Sequence, residues 1–317
     1  NIQSKDIIIT EVDESDGSFL EMKPNKAIIT NIEAEHMDYY KSKSDLIQAF
    51  SAFISNVIQN NGQCIINIDD SNIKKIYKQL NNKSACITFG IESDESQICA
   101  KNIEYNWQGA QFTLVVNKNE VERIQLHLFG THNVYNALSS IALAMANNIS
   151  IKHIVNGLKS TQGAKRRLEL KYQANKIMLY DDYAHHPTEI VTTLEGMFKS
   201  FPSHRIIVVF QPHRFSRLTH LFSQFSSAFS RSEQTFVMPV FNAGERQKES
   251  DKTSLDLVKE INKQGGEATE CTAEDNLIQE LNKTLKDDDI IILMGAGDIT
   301  TFSKNIIPII QNRGVSK

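Results

Sequence analysis

Short runs of β-branched and aliphatic residues alternate with longer segments of helical period along the whole chain, and that alternation admits few folds. Runs too short for a buried helix, set between amphipathic helices, read as strands of parallel sheets whose crossover helices cover both faces. The fold class is therefore α/β. In the first half the runs are Ile7–Thr10, Ala27–Thr30, Cys64–Ile68 and Ala85–Thr88. A helix bearing Leu46, Phe50, Phe53, Ile54, Val57 and Ile58 on one face supplies core between them. From Gln97 to Phe129 the period falls to two, with Phe112, Leu114 and Val116 and then Ile124, Leu126 and Leu128, which predicts an antiparallel hairpin appended to the parallel sheet. The next helix carries Val134, Leu138, Ile141, Ala142 and Met145. A second series, Lys176–Tyr180, Arg205–Phe210, Thr235–Val240 and Ile290–Met294, predicts a doubly wound unit. At 317 residues the chain exceeds one ordinary core, so two domains are expected, 1–168 and 169–317.

Charge removes some partners. With 34 Lys and Arg against 38 Asp and Glu, the net charge of −4 gives no global attraction to nucleic acid or to an acidic membrane, so any phosphate binding must be local. Cys64, Cys86, Cys99 and Cys271 form no C-x-x-C pair, which suits a reducing compartment. No apolar stretch approaches the roughly 20 residues that span a bilayer, and the first residues carry no apolar signal core. A cytoplasmic protein is expected. The strand-like run Ile7–Thr10 has almost nothing ahead of it, as in a chain lacking its amino-terminal portion.

Polar clusters recur where strands are expected to end. Glu11 follows Ile7–Thr10 and opens Glu11-Val12-Asp13-Glu14-Ser15-Asp16, either a solvated acidic turn or a carboxylate that holds magnesium beside a nucleotide. Thr30 to Asp38 brings a second cluster with His36, alone an ordinary surface histidine and beside Glu11 a divalent-metal ligand. Gly130-Thr131-His132-Asn133 opens a helix, where Asn133 either caps it or faces a nucleotide. Lys165-Arg166-Arg167 is a phosphate clamp or a solvated basic linker. Asp182, Tyr183, His185 and His186 crowd the residues before Pro187, and an aspartate there can bond a ribose hydroxyl. The adjacent histidines lack zinc-ligand spacing. Gln211 to Arg217 places His213, Arg214 and Arg217 in one strand-to-helix loop, suited to a carboxylate or phosphate, with a capping loop as the rival reading. Gly295-Ala296-Gly297-Asp298 is half of a dinucleotide fingerprint, but Thr300 occupies the third glycine position, so a nicotinamide cofactor is disfavoured and the segment reads as a tight turn.

In order and spacing these segments resemble the Mur ligase family: Glu11 to Phe19, Thr30 to Asp38, His132 to Ala137, Gly163 to Arg167, Asp181 to Glu189, Gln211 to Arg214, and Gly295 to Asp298. The resemblance spans nearly the whole chain. It implies ATP-dependent carboxylate–amine ligation in peptidoglycan precursor synthesis, with ATP and Mg2+ as cofactors, UDP-N-acetylmuramate and L-alanine as substrates, and an acyl phosphate between them. It implies a central ATP-binding domain over 1–168 and a Rossmann-like domain over 169–317, preceded in the family by a domain for the UDP-sugar. By the same resemblance Glu11 and His36 bind magnesium, Asn133 and Arg167 contact ATP, Asp182 meets the ribose, and Tyr183, His185, His213, Arg214 and Arg217 surround the amino acid and the reacting carboxylate. No G-K-[ST] sequence occurs, so the chain by itself is expected to be inactive. Rival readings are a muropeptide-recycling member that adds a preformed tripeptide and a non-catalytic nucleotide-binding remnant. Thr131, Phe129 and Ala184 stand where the family pattern has arginine, proline and glycine, and the Ala184 methyl is expected to crowd a ligand.

Overall fold

A computed structural model describes residues 7–33 and 37–313. Two compact units emerge. The first comprises the described residues within Asn1–Ile103, with Gln111–Gln125 and Asn133–Lys159; the second comprises Glu104–Ala110, Leu126–His132 and the described residues from Ser160 onward.

In the first sheet β1 (Lys26–Ile29) leads through α1 (Met37–Tyr40) and α2 (Lys43–Gln59) to β2 (Gln63–Asn67), then through α3 (Ser71–Gln79) to β3 (Cys86–Gly90). There follow β4 (Ile98–Asn106), β5 (Gly109–Val116), β6 (Asn119–Leu126), α4 (Thr131–Ala146) and α5 (Ile151–Ser160). The strand order is β1-β2-β3-β4-β5-β6, and β1 to β4 pair in parallel. Two-residue connections join β4 to β5 and β5 to β6, and so short a link permits only antiparallel pairing. The expected hairpin is there. Asn117 and Lys118, between β5 and β6, both adopt positive φ, 47° and 69°, the geometry of a tight hairpin turn. The α2 helix starts where the Ser42 side chain accepts the Asp45 N–H, and it buries Leu46, Phe53, Ile54 and Val57 against Ile66, Ile68 and Phe19.

One expected strand is absent. Residues Ile7–Thr10 are not in a sheet, and Ile8 and Ile9 are 84% and 80% exposed. An apolar run becomes a strand only when a neighbour takes its N–H and C=O groups, and among the described residues β1 is the edge of the sheet.

The second unit contains β7 (Glu169–Ala174), β8 (Ile177–Asp182), α6 (Pro187–Ser200), β9 (Arg205–Phe210), α7 (Phe215–His220), α8 (Phe222–Ser227), β10 (Gln234–Val237), α9 (Ser254–Lys263), β11 (Ala268–Glu270), α10 (Glu274–Thr284), β12 (Asp289–Met294) and α11 (Ser303–Asn312). Its strand order is β11-β10-β9-β12-β8-β7, parallel throughout except for β7. From β8 to β11 the chain steps in one direction, then reverses to insert β12 between β9 and β8. Crossovers of one hand therefore place α6 to α9 on one face and α10 on the other. The side chains obey this. Ile206, Val208, Phe210, Ile290 and Ile292 join the cluster under α6, α8 and α9, whereas Ile207, Val209, Ile291 and Leu293 join the one under α10 and α11. Strands covered on both faces need continuous apolar runs, as the sequence has.

Candidate functional site

The carboxyl edge of the second sheet is built first from buried acids. Asp182 ends β8 and is buried; Leu168 N–H donates to its Oδ2 at 2.8 Å and Ala184 N–H to its Oδ1 at 2.7 Å. Burial pushes its carboxyl up to about 6, against the pull of those two amides and of Arg167. Its neighbour Asp181 accepts the Thr300 hydroxyl at 2.5 Å and lies 3.6 Å from Arg166 Nε. Arg166 also donates to the Gly295 carbonyl. The residue that breaks the dinucleotide fingerprint is thus a structural partner of β8.

Above this base the polar side chains form a continuous run. The Tyr183 ring is faced by Arg166 and Arg167, with guanidinium carbons 4.9 and 5.8 Å from its centroid. The His185 ring meets Tyr183 edge-on at 5.2 Å and His213 at 6.0 Å. His213 stacks on Phe241 at 5.5 Å, and its Nδ1 lies 3.2 Å from an Arg217 Nη1. Burial above all, then Arg217, His185 and Arg214, pushes His213 down to about 4, so it is neutral at pH 7. His213 therefore adds no positive charge to the edge, whereas its arginines do. Arg214 is exposed, held at φ 72° with its N–H on the Phe241 carbonyl, while Glu245 takes the Ser216 N–H and hydroxyl. Arg167, Asp182, Tyr183, His185, His213, Arg214 and Arg217 all belong to this edge.

A cavity of about 370 Å3 adjoins the run, lined by Gln211, Phe241, Asn242, Glu274, Asp298 and Phe302 among others. Gln211 holds its rim, donating to Asp298 at 2.8 Å and accepting the Ile299 N–H. At Gly297 a Cβ would lie 2.7 Å from the Phe241 ring, and Gly295, at φ 148°, would press one on the Gln211 carbonyl oxygen at the same distance. Phe241 and Gln211 were missed as site residues by sequence reading, because an aromatic wall and a rim amide have no spacing signature.

One expectation changes here. The Ala184 methyl is fully buried in the core with Ile190 and Leu194, so it cannot crowd a ligand. Phe129 likewise packs into the core, edge-on to Tyr180 at 6.1 Å and against Phe201 at 5.3 Å.

In the first unit the candidate residues are less gathered. Glu11 is exposed and follows no strand. Asp13 and Asp16 accept the N–H groups of Ser15 and Ser18, ordering their own turns, while Phe19 anchors the segment on Phe50 and Phe53. The loop after β1 is pinned by Asn67 on the Thr30 carbonyl and Asn72 on the Ile32 carbonyl. His36 lies outside the described residues. Asn133 is in the first turn of α4, which begins at Thr131, so it is not the cap residue. Among the described residues no three potential ligands from His, Cys, Asp and Glu gather as a metal cluster, and no helix is long and apolar enough to cross a membrane.

The Mur ligase middle domain matches residues 2–144, and the Mur ligase glutamate ligase domain matches 166–297. The chain is similar to UDP-N-acetylmuramate–L-alanine ligases: 37% identical to that of Desulfatibacillum aliphaticivorans over 93% of this chain and 64% of the relative. For that of Clostridium acetobutylicum the figures are 39%, 93% and 63%. This chain therefore spans a little under two thirds of these relatives. In fold it is similar to the UDP-N-acetylmuramate–alanine ligase of Thermotoga maritima, with a TM-score of 0.76, 24% identity, and coverage of 95% of this chain and 63% of that one. The MurF ligase of Thermotoga maritima, solved with ADP, superimposes with a TM-score of 0.71 at 14% identity over 92% of this chain and 63% of that one. With one family domain matched on each side of the junction and both units in the corresponding fold, the chain belongs to the Mur ligase family.

Proposed function

We propose that the protein containing this chain joins L-alanine to UDP-N-acetylmuramate at the expense of ATP, in the synthesis of peptidoglycan precursor. The observation that carries this reading is the unbroken run Arg167, Tyr183, His185, His213, Arg217 along one sheet edge, beside a cavity of amino-acid scale. In the reaction a carboxylate oxygen of the sugar takes the γ-phosphoryl group and ADP leaves. The amine of alanine then adds to the acyl carbon, and the tetrahedral intermediate expels phosphate to leave an amide. Anionic oxygens accumulate at each stage, and fixed guanidiniums stabilise them without reorganising.

In this reading Arg167 and Asn133 contact ATP, Asp182 meets the ribose, and Tyr183 gives a ring face. His185, His213, Arg214 and Arg217 surround the amino acid and the reacting carboxylate. With His213 neutral, the arginines supply fixed positive charge that draws a carboxylate. Magnesium takes protein oxygens one or two at a time and fills its shell with water and phosphate; the exposed Glu11 carboxylate suits that habit, with His36, which follows the next strand in sequence, as the second protein ligand. When bound, the ion neutralises phosphoryl charge. The reading keeps the domain boundary at Leu168, with 1–168 for nucleotide and metal and 169–317 for the acceptor and the ribose of ATP, in the cytoplasm where ATP and nucleotide-sugars are held.

The test is phosphate release by the protein as encoded by its gene, given ATP, Mg2+ and UDP-N-acetylmuramate with L-alanine, glycine, L-serine or a wall tripeptide. Release that requires both the sugar nucleotide and L-alanine supports the reading. Release with the tripeptide alone transfers it to a recycling ligase, and release with none overturns it.

A further inference from the structure

We infer that Glu189 is a positioning residue for the nucleotide end of this edge, fixing the Arg167 guanidinium and the Tyr183–His186 loop through one carboxylate. The inference rests on the reading above, in which Arg167 meets ATP.

Glu189 is the third residue of α6, and its two oxygens have separate tasks. Oε2 accepts the N–H groups of His185 at 2.9 Å and His186 at 3.1 Å, closing a capping box in which His186 accepts the Thr188 N–H in return. Oε1 lies 3.3 Å from Arg167 Nη1. A cap needs one acceptor; the second oxygen is turned to the arginine. The two adjacent arginines are sorted by this. Arg166 is held inward by Asp181 and the Gly295 carbonyl, whereas Arg167, with over half its side chain exposed, has Glu189 as its anionic partner. Burial would raise the Glu189 carboxyl, but the two amides, His185 and Arg167 hold it below the usual carboxylate range, so it is charged at neutral pH. A long side chain left at a sheet edge samples many rotamers, and an anion that restricts it before the ligand arrives lowers the cost of binding.

Glu189→Gln separates the two tasks, because glutamine keeps an oxygen for the cap and loses the charge at Arg167. The protein as encoded by its gene is titrated with ADP and Mg2+ as wild type, Glu189→Gln, Arg167→Met and the double variant, with denaturant midpoints measured alongside. Coupling through Arg167 predicts about a fivefold weaker affinity in Glu189→Gln, whose midpoint falls only slightly, at least about tenfold in Arg167→Met, and no further loss in the double variant. Losses that multiply in the double variant, or an unchanged affinity in Glu189→Gln, overturn the positioning role and leave the nucleotide contact standing. An unchanged affinity in Arg167→Met overturns both.

Discussion

The carboxyl edge of the second sheet and the acidic segment ahead of β1 use the same residue types to opposite effect. In the second unit the acids lie underneath: Asp181 and Asp182 are buried, Asp182 bonded through both oxygens and Asp181 held through Oδ2 by Thr300 and Arg166, and the cations and aromatics stand above them as one connected run. In the first unit Glu11 is exposed and Asp13 and Asp16 spend their oxygens on their own turns. Preorganisation, then, comes from what holds a polar group from below, not from how many polar groups gather. The second edge is built to receive charge with its geometry already set, and the segment around Glu11 offers a carboxylate whose arrangement is left to the ligand.

Breaking the base of the second edge should have the largest effect on stability. Asp182→Ala strands two buried N–H groups and is expected to cost about 2–4 kcal/mol, read as a lower denaturant midpoint at constant slope. Glu11→Gln should not move that midpoint, yet should lower Mg2+-dependent phosphate release about 100-fold; a midpoint shift equal to that of Asp182→Ala would erase the contrast between the regions. His132 sharpens it by pH. Burial first, then Arg167, pushes His132 down to about 4, so the unfolded chain takes up its proton first. Its contribution is full above pH 6.5 and is lost as pH falls toward 4, on the order of 3 kcal/mol. Asp182, raised to about 6, works against it: its contribution is full below pH 3.8 and is lost as pH rises through 6. His132→Gln should therefore lessen the loss of stability between pH 6.5 and 4.5 in denaturant titrations, and an unchanged loss would show that this buried network does not govern it. The smallest effect belongs to Ala184→Gly. It removes a core methyl and should cost about 1 kcal/mol while the Michaelis constants for ATP and L-alanine stay put; a lowered constant would put the methyl back in the ligand's path.

Much of this was legible beforehand because covered parallel strands leave an unmistakable trace, as in Arg205–Phe210 and Ile290–Met294. The residues of the second edge were readable for the related reason that parallel strands deliver their ends to one side. What escaped was whatever depends on a partner. Ile7–Thr10 has strand composition and no ladder neighbour among the described residues. Glu169–Ala174 is a polar edge strand that owes its existence to pairing with β8 through Asn175 and Lys176, both at positive φ, without the Asn-Gly signature of such turns. Glu189 was visible as part of a motif, but its two-sided use by cap and arginine is a matter of distance.

The reversal that inserts β12 between β9 and β8 has a consequence in time. The strand at the middle of this sheet is the last of its strands to be synthesised, so β8 and β9, which flank it, emerge from the ribosome with their facing edges unmatched. Each must wait through more than eighty residues of synthesis before its partner exists. Such closure of distant contacts slows folding and exposes strand edges meanwhile. A nascent chain halted before Asp289 would carry the other five strands of this sheet and none of its finished centre.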